Sequence, residues 1–273
     1  MNLALYIRHD KLWQDERYLW LEDALNAHPE QFSTYRLDPD GELREDTDWV
    51  LSIGGDGTFL SAATKVGERE IPILGINLGR IGFLSENSPK DAIEKLLAGA
   101  YSIEERSLLK VEAPSVDISW PYALNEVGVL RKGAAVLGVD VKVDGVKLPT
   151  YWADGLLVAT SSGSTAYSLS VGGPIVMPQA KVWILSPVAP HNLNMRPLVI
   201  PDGSSLQLSF SAREDSLRLS LDNRYYLLDA GAKIQVSKAP FMLKRVRLDG
   251  SNFFGALTDK LHWGDDLRNS KDN

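Results

Sequence analysis

The chain contains no cysteine. Disulfides, thiolate nucleophiles and cysteine-ligated zinc are thereby excluded. Histidine is scarce: His9, His28, His191 and His262 are the four present, and they show neither metal-ligand spacing nor an evident serine partner. His191, within Pro190-His191-Asn192-Leu193, reads as a loop hydrogen-bonding residue. No Gly-x-Ser-x-Gly elbow occurs, so a serine hydrolase finds no support. No glycine precedes a lysine, which removes a Walker A loop. Positive charge is outnumbered, 29 Lys and Arg against 36 Asp and Glu, for a net charge of −7. That balance does not make the basic footprint of a nucleic-acid binder. No apolar run approaches the roughly 20 residues that cross a bilayer. Residues 3–7 are too short for a signal peptide and read as a first strand. The expectation is a cytoplasmic protein with no nucleic-acid and no membrane partner.

What is present is a chain of 273 residues, 44% hydrophobic and 24% charged, enough for one large domain or two modest ones. Its most informative stretch is Trp49-Val50-Leu51-Ser52-Ile53 followed by Gly54-Gly55-Asp56-Gly57-Thr58. An apolar β-rich run stops at glycines enclosing one carboxylate, and Phe59-Leu60-Ser61-Ala62-Ala63 resumes with helix formers. The pattern predicts strand, glycine loop, helix start. Glycine admits positive φ and close approach of a ligand, and the N–H groups of a helix N-terminus favour an anion, so phosphate is the natural guest of Gly54, Gly55, Gly57 and Thr58. Asp56 is the anomaly, because a carboxylate repels phosphate unless it holds a metal ion or takes a proton. Leu60 stands where a dinucleotide fingerprint needs its third glycine, so that reading fails. The plain alternative is a tight βα turn with a solvated aspartate.

In chain order, the pattern predicts a strand over 3–7 and one helix over 10–28, with Trp13, Trp20, Leu21, Ala24 and Leu25 on a core-facing side and Pro29 past its end. Residues 38–48 read as a solvated acidic loop or short edge element. A strand over 71–77 leads into a second glycine-punctuated loop, Leu78-Gly79-Arg80-Ile81-Gly82-Phe83-Leu84, which could share a rim with the first. Ser88-Pro89 starts a helix over 90–98 that ends at Gly99. Strands alternating with helices indicate a Rossmann-like α/β domain with a parallel sheet, its site at the carboxyl ends of the strands. From 101 to 248 the period changes to two, with hairpin turns at Asp144-Gly145 and Asp222-Asn223, which indicates a β-rich, sandwich-like second domain. Residues 252–263 return to helical spacing, and 268–273 form a polar end expected to fray. The expected division is 1–100, 101–248, and 249–273 packing back on the first domain.

Further candidates lie in the second half. Asn125-Glu126 sits inside an apolar β run and could bind vicinal hydroxyls, the carboxylate accepting and the amide doing both; an ordinary outward-facing polar pair is the alternative. Ala153-Asp154-Gly155 feeds a buried strand, followed by Ser161-Ser162-Gly163-Ser164-Thr165-Ala166-Tyr167-Ser168-Leu169-Ser170 and Gly172-Gly173-Pro174. Small hydroxylic residues around glycine suit a polar ligand, and Tyr167 could stack on a base.

Taken together, in order, these motifs resemble those of the NAD kinases of bacterial type over nearly the whole chain, with Arg196-Pro197-Leu198-Val199-Ile200 and Lys260-Leu261-His262-Trp263 adding to the likeness. The first motif alone is shared with diacylglycerol kinases and is similar to one in 6-phosphofructokinases. The resemblance implies transfer of the ATP γ-phosphate to the 2′-hydroxyl of the adenosine ribose of NAD, a divalent metal ion such as magnesium, and a homodimer or homotetramer. It implies that Asp56 accepts the proton and that Gly57 and Phe83 lie beside the dinucleotide. Asn125 and Glu126 would hold a ribose, Asp154 the nicotinamide side, and Thr165, Ala166, Tyr167, Ser168, Leu169 and Ser170 the adenine and ribose, with Ala189 a further contact. It names no metal-binding residue. Where relatives often carry a glutamine after an Asp-containing turn, this chain has Arg224. A lipid or sugar kinase sharing the glycine motif, and a non-catalytic NAD(P) sensor, are the rival readings.

Overall fold

The computed structural model describes residues 1–79 and 82–264, so Arg80 and Ile81 of the second glycine loop and the polar end from 268 lie outside the described residues. The chain divides into two compact units, Met1–Glu105 with the chain from Lys244 on, and Arg106–Leu243. Strands are β1 (Asn2–Tyr6), β2 (Ser33–Leu37), β3 (Trp49–Ile53), β4 (Ile73–Ile76), β5 (Tyr101–Glu112), β6 (Tyr122–Ala123), β7 (Glu126–Leu130), β8 (Leu137–Val143), β9 (Val146–Lys147), β10 (Tyr151–Ala153), β11 (Gly155–Thr160), β12 (Val182–Val188), β13 (Leu198–Pro201), β14 (Leu206–Ser211), β15 (Ser216–Leu221), β16 (Arg224–Asp229) and β17 (Lys233–Leu248). Helices are α1 (Glu16–Asn26), α2 (Asp56–Val66), α3 (Pro89–Ala98), α4 (Tyr167–Ser170) and α5 (Phe253–Leu261).

In the first unit the strands run parallel in the order β2-β1-β3-β4, and the end of β17 pairs parallel to β4 through Arg245 and Ile73. The order reverses at β1, so a crevice is expected where the carboxyl ends of β1 and β3 diverge. The first glycine loop leaves β3 at that point. Ile53 pairs with Ile76, so the second glycine loop leaves the neighbouring strand at the same level. Leu3, Leu5, Leu51, Ile53, Leu74 and Ile76 form a core with Tyr18, Leu21 and Leu25 of α1 and Ala92, Ile93 and Leu96 of α3. α2 packs on β3 and β4 with Phe59 fully buried.

Two expectations for this unit need correction. The segment 10–28 is not one helix. A 3-10 turn over Asp10–Gln14 ends at Asp15, whose extended backbone starts α1 afresh and whose carboxylate accepts the Arg17 N–H at 2.9 Å. An aspartate that caps a helix breaks the one before it. Trp20 consequently faces outward and is exposed, and Tyr18 takes the core position instead, with Trp13 packed edge-on against its ring at 5.1 Å. The short parallel strand β2 escaped the sequence reading, because Ser33-Thr34-Tyr35-Arg36-Leu37 is half exposed and lacks alternation. α3 begins at Ser88, which accepts the Asp91 N–H, and ends at Gly99 with φ +63°.

The second unit is a sandwich. β10-β8-β14-β17 form one antiparallel sheet, and β13-β12-β11-β7-β15-β16 the other. Val139 and Val141, Leu206 and Leu208, Ile234 and Val236 face Val127 and Val129, Leu156 and Val158, Trp183 and Leu185 in one core. The outer face of the second sheet is unusual. Register places Glu126 opposite Ala159 and Gly128 between Leu157 and Ser220, with Ser186 on β12 beyond. A polar strand face would be solvated in an ordinary antiparallel sheet. Here the 3-10 turn Ser162–Thr165 and α4 cover it, with Ser168 Oγ 3.0 Å from Ser186 Oγ. This is the one helical stretch that the period-two reading of 101–248 passed over.

Phe59→Ala removes the largest fully buried side chain of α2. The expected cost is about 3–5 kcal/mol, read as a lowered urea midpoint for the first unit.

Candidate functional site

The glycine loop is built as the residue types require. Gly54 has φ +148°, closed to an L side chain, and a methyl group there would meet the Thr58 hydroxyl. Gly54 N–H donates to the Ile76 carbonyl at 2.8 Å, tying the loop to β4. Among the described residues Gly55 is exposed with open space in front of it, and the face of Gly57 meets the Arg8 guanidinium at 3.7 Å and nothing nearer. Open glycine faces at the start of α2 leave backbone N–H groups approachable by an anion.

Asp56, the first residue of α2, is half-buried and not simply solvated. Its Oδ2 accepts the Phe83 N–H at 2.8 Å, and its Oδ1 accepts the Leu84 and Ser85 N–H groups, each at 2.9 Å. Successive amides of the second glycine loop therefore converge on the one carboxylate. Gly82 must be glycine, since a methyl group there would overlap the Asp56 carboxylate. An ionised carboxylate has about four acceptor directions. Among the described residues three are taken, and the one left lies on Oδ2, able to accept a hydrogen from a hydroxyl.

The second unit repeats the device. Asp222, in the turn between β15 and β16 with φ +52°, accepts the N–H groups of Leu124 at 2.9 Å, Asn125 at 2.7 Å and Glu126 at 3.2 Å. Asn125 and Glu126 are thus fixed by a residue nearly a hundred positions away. Gly163 presses so closely on the Asn125 backbone that a methyl group would not fit. The Glu126 carboxyl is buried, accepts a hydrogen bond from the Tyr167 N–H, and has an Oε2 with no partner among the described residues. Burial, then the neighbouring Asp222 charge, push its pKa up to about 8. Burial also raises Asp222, opposed by its three amides and by Arg224. Raised to about 8, Glu126 holds a proton at neutral pH.

The structure thus brings Asn125, Glu126 and Tyr167 together. It sets Asp154 and Ala189 apart from them, at the opposite ends of β11 and β12. Gly155 pairs with Val188 and Ala159 with Glu126, so the two groups are separated by the length of β11, about 17 Å at roughly 3.4 Å per residue. Asp154 is ion-paired with Arg131 at 2.7 Å, and Ala189 is exposed with φ +44°. Thr165, Ala166, Tyr167, Leu169 and Ser170 are accessible, whereas Ser168 is buried against Ser186. Ser164 spends its hydroxyl on the backbone of Val176. Arg224 donates to the carbonyls of Trp120 and Tyr122, which makes it a clasp on that loop. Arg131, Asp222 and Lys260 hold candidate residues or their loops in place, a part that the sequence reading did not give them. Asp222 was legible only as a turn, and no local pattern marks its reach to 124–126.

Gly82→Ala should leave the fold intact and displace the Asp56 carboxylate; a misplacement of about 1 Å costs up to about 10²-fold in turnover. Steady-state kinetics beside a thermal melt separates the two effects. The pH dependence of the ligand-free second unit has a definite sign. A folded-state pKa for Glu126 of about 8, above its ordinary 4.5, means the folded state binds the extra proton between those values. Stability from this group is complete below pH 4.5 and falls as pH rises through 8. Glu126→Gln should flatten that fall in urea midpoints measured across the range.

The ATP-NAD kinase N-terminal domain family matches residues 10–101, and the ATP-NAD kinase C-terminal domain family matches residues 124–248. The NAD kinase of Porphyromonas gingivalis is 41% identical over 262 residues, 94% of this chain and 89% of that protein. The NAD kinase of Bacteroides fragilis is 42% identical over 228 residues, covering 82% and 79%. Among solved structures, an NAD kinase from Archaeoglobus fulgidus in complex with ATP superposes with a TM-score of 0.80 at 29% identity, over 96% of this chain and 99% of that one. Yeast NADH kinase complexed with NADH, at 21% identity, shares the fold with a TM-score of 0.84 over 99% of this chain and 90% of that one. With both domain families matched in order, and relatives above 40% identity over most of their length, the chain belongs to the NAD kinase family.

Proposed function

We propose that this chain transfers the γ-phosphate of ATP to the 2′-hydroxyl of the adenosine ribose of NAD, with Asp56 as proton acceptor. The observation that carries the reading is the single unspent acceptor direction on Asp56 Oδ2, beside the open faces of Gly55 and Gly57. A ribose hydroxyl is a weak nucleophile until a base takes its proton. In the step, the ribose O–H bond breaks and its proton passes to Oδ2. The ribose oxygen bonds to the γ-phosphorus, the bond from that phosphorus to the β–γ bridging oxygen breaks, and ADP leaves. The glycine-loop amides, Gly57 included, orient and neutralise phosphate; Gly54 and Thr58, expected to join them, have their N–H groups held by the Ile76 and Gly55 carbonyls, each at 2.8 Å.

The second unit supplies recognition in this reading. Glu126, neutral and with an orphaned oxygen, and Asn125 beside it suit a ribose diol, and the exposed ring of Tyr167 suits a base. Thr165, Ala166, Leu169 and Ser170 line the same group. Asp154 and Ala189, one strand length away, suit the far nucleotide, so the spacing favours a dinucleotide over a mononucleotide, lipid or simple sugar. Phe83 belongs to the same proposal through its place beside Asp56. A pure sensor would have no use for a hydroxyl acceptor next to phosphate.

A divalent ion, magnesium the expected one, would neutralise phosphate charge on the ATP that it accompanies. Among the described residues no group of three or more His, Asp or Glu could hold a metal. Magnesium is commonly bound by one or two carboxylates together with substrate phosphates. A homodimer or homotetramer in the cytoplasm completes the proposal; among the described residues no helix is long and apolar enough to cross a membrane.

Asp56→Asn keeps the shape and removes the base. Turnover of NAD with ATP and magnesium should fall by about 10²–10⁴ while NAD affinity changes little. Full turnover in that variant would reject the assignment.

A further inference from the structure

The peptide bond between Gly82 and Phe83 is gripped at both ends. Its N–H donates to Asp56 Oδ2 at 2.8 Å, and its carbonyl oxygen accepts a hydrogen bond from the Lys260 ammonium. Lys260 comes from α5, far along the chain, and its Nζ also stands 3.8 Å from the centre of the Phe83 ring. The same ring lies 6.1 Å from Phe253, at the other end of α5. α5 is itself anchored, since Asn252 accepts the Gly255 N–H at 2.7 Å. An anion and a cation on opposite ends of one amide reinforce each other, because charge drawn toward the carbonyl oxygen strengthens the N–H as a donor. A surface lysine needs none of this. Lys260 is largely removed from water, which is costly for an ammonium unless the position uses it.

We infer that Lys260 is a positioning residue for phosphoryl transfer: by holding the Gly82 carbonyl and the Phe83 ring it fixes the 82–85 amides, and those amides fix where the free acceptor direction of Asp56 points. The inference rests on the reading of Asp56 as proton acceptor and adds to it the part of the chain that aims it. Lys260 does not touch the reacting atoms. Its influence passes through a single peptide bond.

The charge state of Lys260 supports a readout that a merely structural side chain would lack. Burial lowers its pKa to about 8; Asp56, Glu86 and Asp259 oppose that fall, while Arg245 adds to it. As pH rises through about 8 the ammonium is lost, and with it the cation on Phe83 and the charge on the Gly82 carbonyl.

The test compares the full chain with Lys260→Met and Lys260→Arg. Two measurements serve: kcat and NAD KM across pH 6–10, and hydrogen exchange at the Phe83, Leu84 and Ser85 amides without ligand. For Lys260→Met, kcat should fall by roughly ten- to a hundred-fold at pH 7 with KM little changed, since misplacement of about 1 Å costs up to about 10². The three amides should exchange faster, while thermal melts report an intact fold. Lys260→Arg, charged throughout the range, should keep the exchange protection and abolish the part of the alkaline decline in kcat that belongs to Lys260. Wild-type kcat in Lys260→Met, unchanged exchange at Phe83, or an alkaline decline identical in Lys260→Arg and wild type would each overturn the inference. Exchange does not depend on turnover, so these failures are distinct from failure of the proton-acceptor reading, which Asp56→Asn tests.

Discussion

One carboxylate accepting successive backbone amides is the constraint on which the first unit's site depends. Asp56 sits where α2 begins, and the loop after β4 folds back so that the Phe83, Leu84 and Ser85 N–H groups end on it. Other contacts assist it: the Gly54 N–H ties the first loop to β4, and Lys260 holds the Gly82 carbonyl of the second. The first is mostly glycine, and the second passes so near Asp56 that Gly82 admits no side chain. Parallel pairing of β3 with β4 makes the arrangement possible by delivering both loops to one level. The carboxylate therefore has two tasks, to hold a loop and to keep one acceptor direction open, and the count of lone pairs shows that they are compatible.

The second unit uses the same physics with the roles divided. Asp222 holds the backbone of 124–126 and is spent doing so; Glu126, beside it, keeps an unpartnered oxygen. Two buried carboxyl groups this close do not both ionise readily. Burial above all pushes Glu126 up to about 8, which makes it a neutral group able to donate as well as accept. The short helical cover packs on Glu126 and Ser186, on a polar sheet face that would ordinarily meet water. Gly163, in the cover itself, is what lets it lie so close to the Asn125 backbone.

Much of this was legible in the sequence, for reasons that differ by element. The strand at 49–53, the helix from Ser88 to Gly99 and the hairpins at Asp144 and Asp222 are written in local chemistry: apolar runs, caps and turn residues. The glycine loop and its odd aspartate were legible because so few arrangements need that composition. The helix at 10–28 misled because Asp15 serves equally well as a helix-surface residue or as the cap that ends one helix and begins another. β2 was hidden by its half-exposed, unpatterned residues. What local reading could not reach are contacts made across long stretches of chain. The clasp of Asp222 on 124–126 is one, the reach of Lys260 to the Gly82 carbonyl another, and the pairing of Arg131 with Asp154 a third. Each donor or acceptor in them is an unremarkable charged residue until the fold supplies its partner.

The most direct test of the central claim is a structure of the chain with NAD bound, read at one distance. The account predicts Asp56 Oδ2 within hydrogen-bond reach of the 2′-hydroxyl of the adenosine ribose, about 2.6–3.2 Å, with the three amide bonds to the carboxylate retained. A ribose bound elsewhere, or a carboxylate turned away from that hydroxyl with no oxygen able to reach it, would contradict the account.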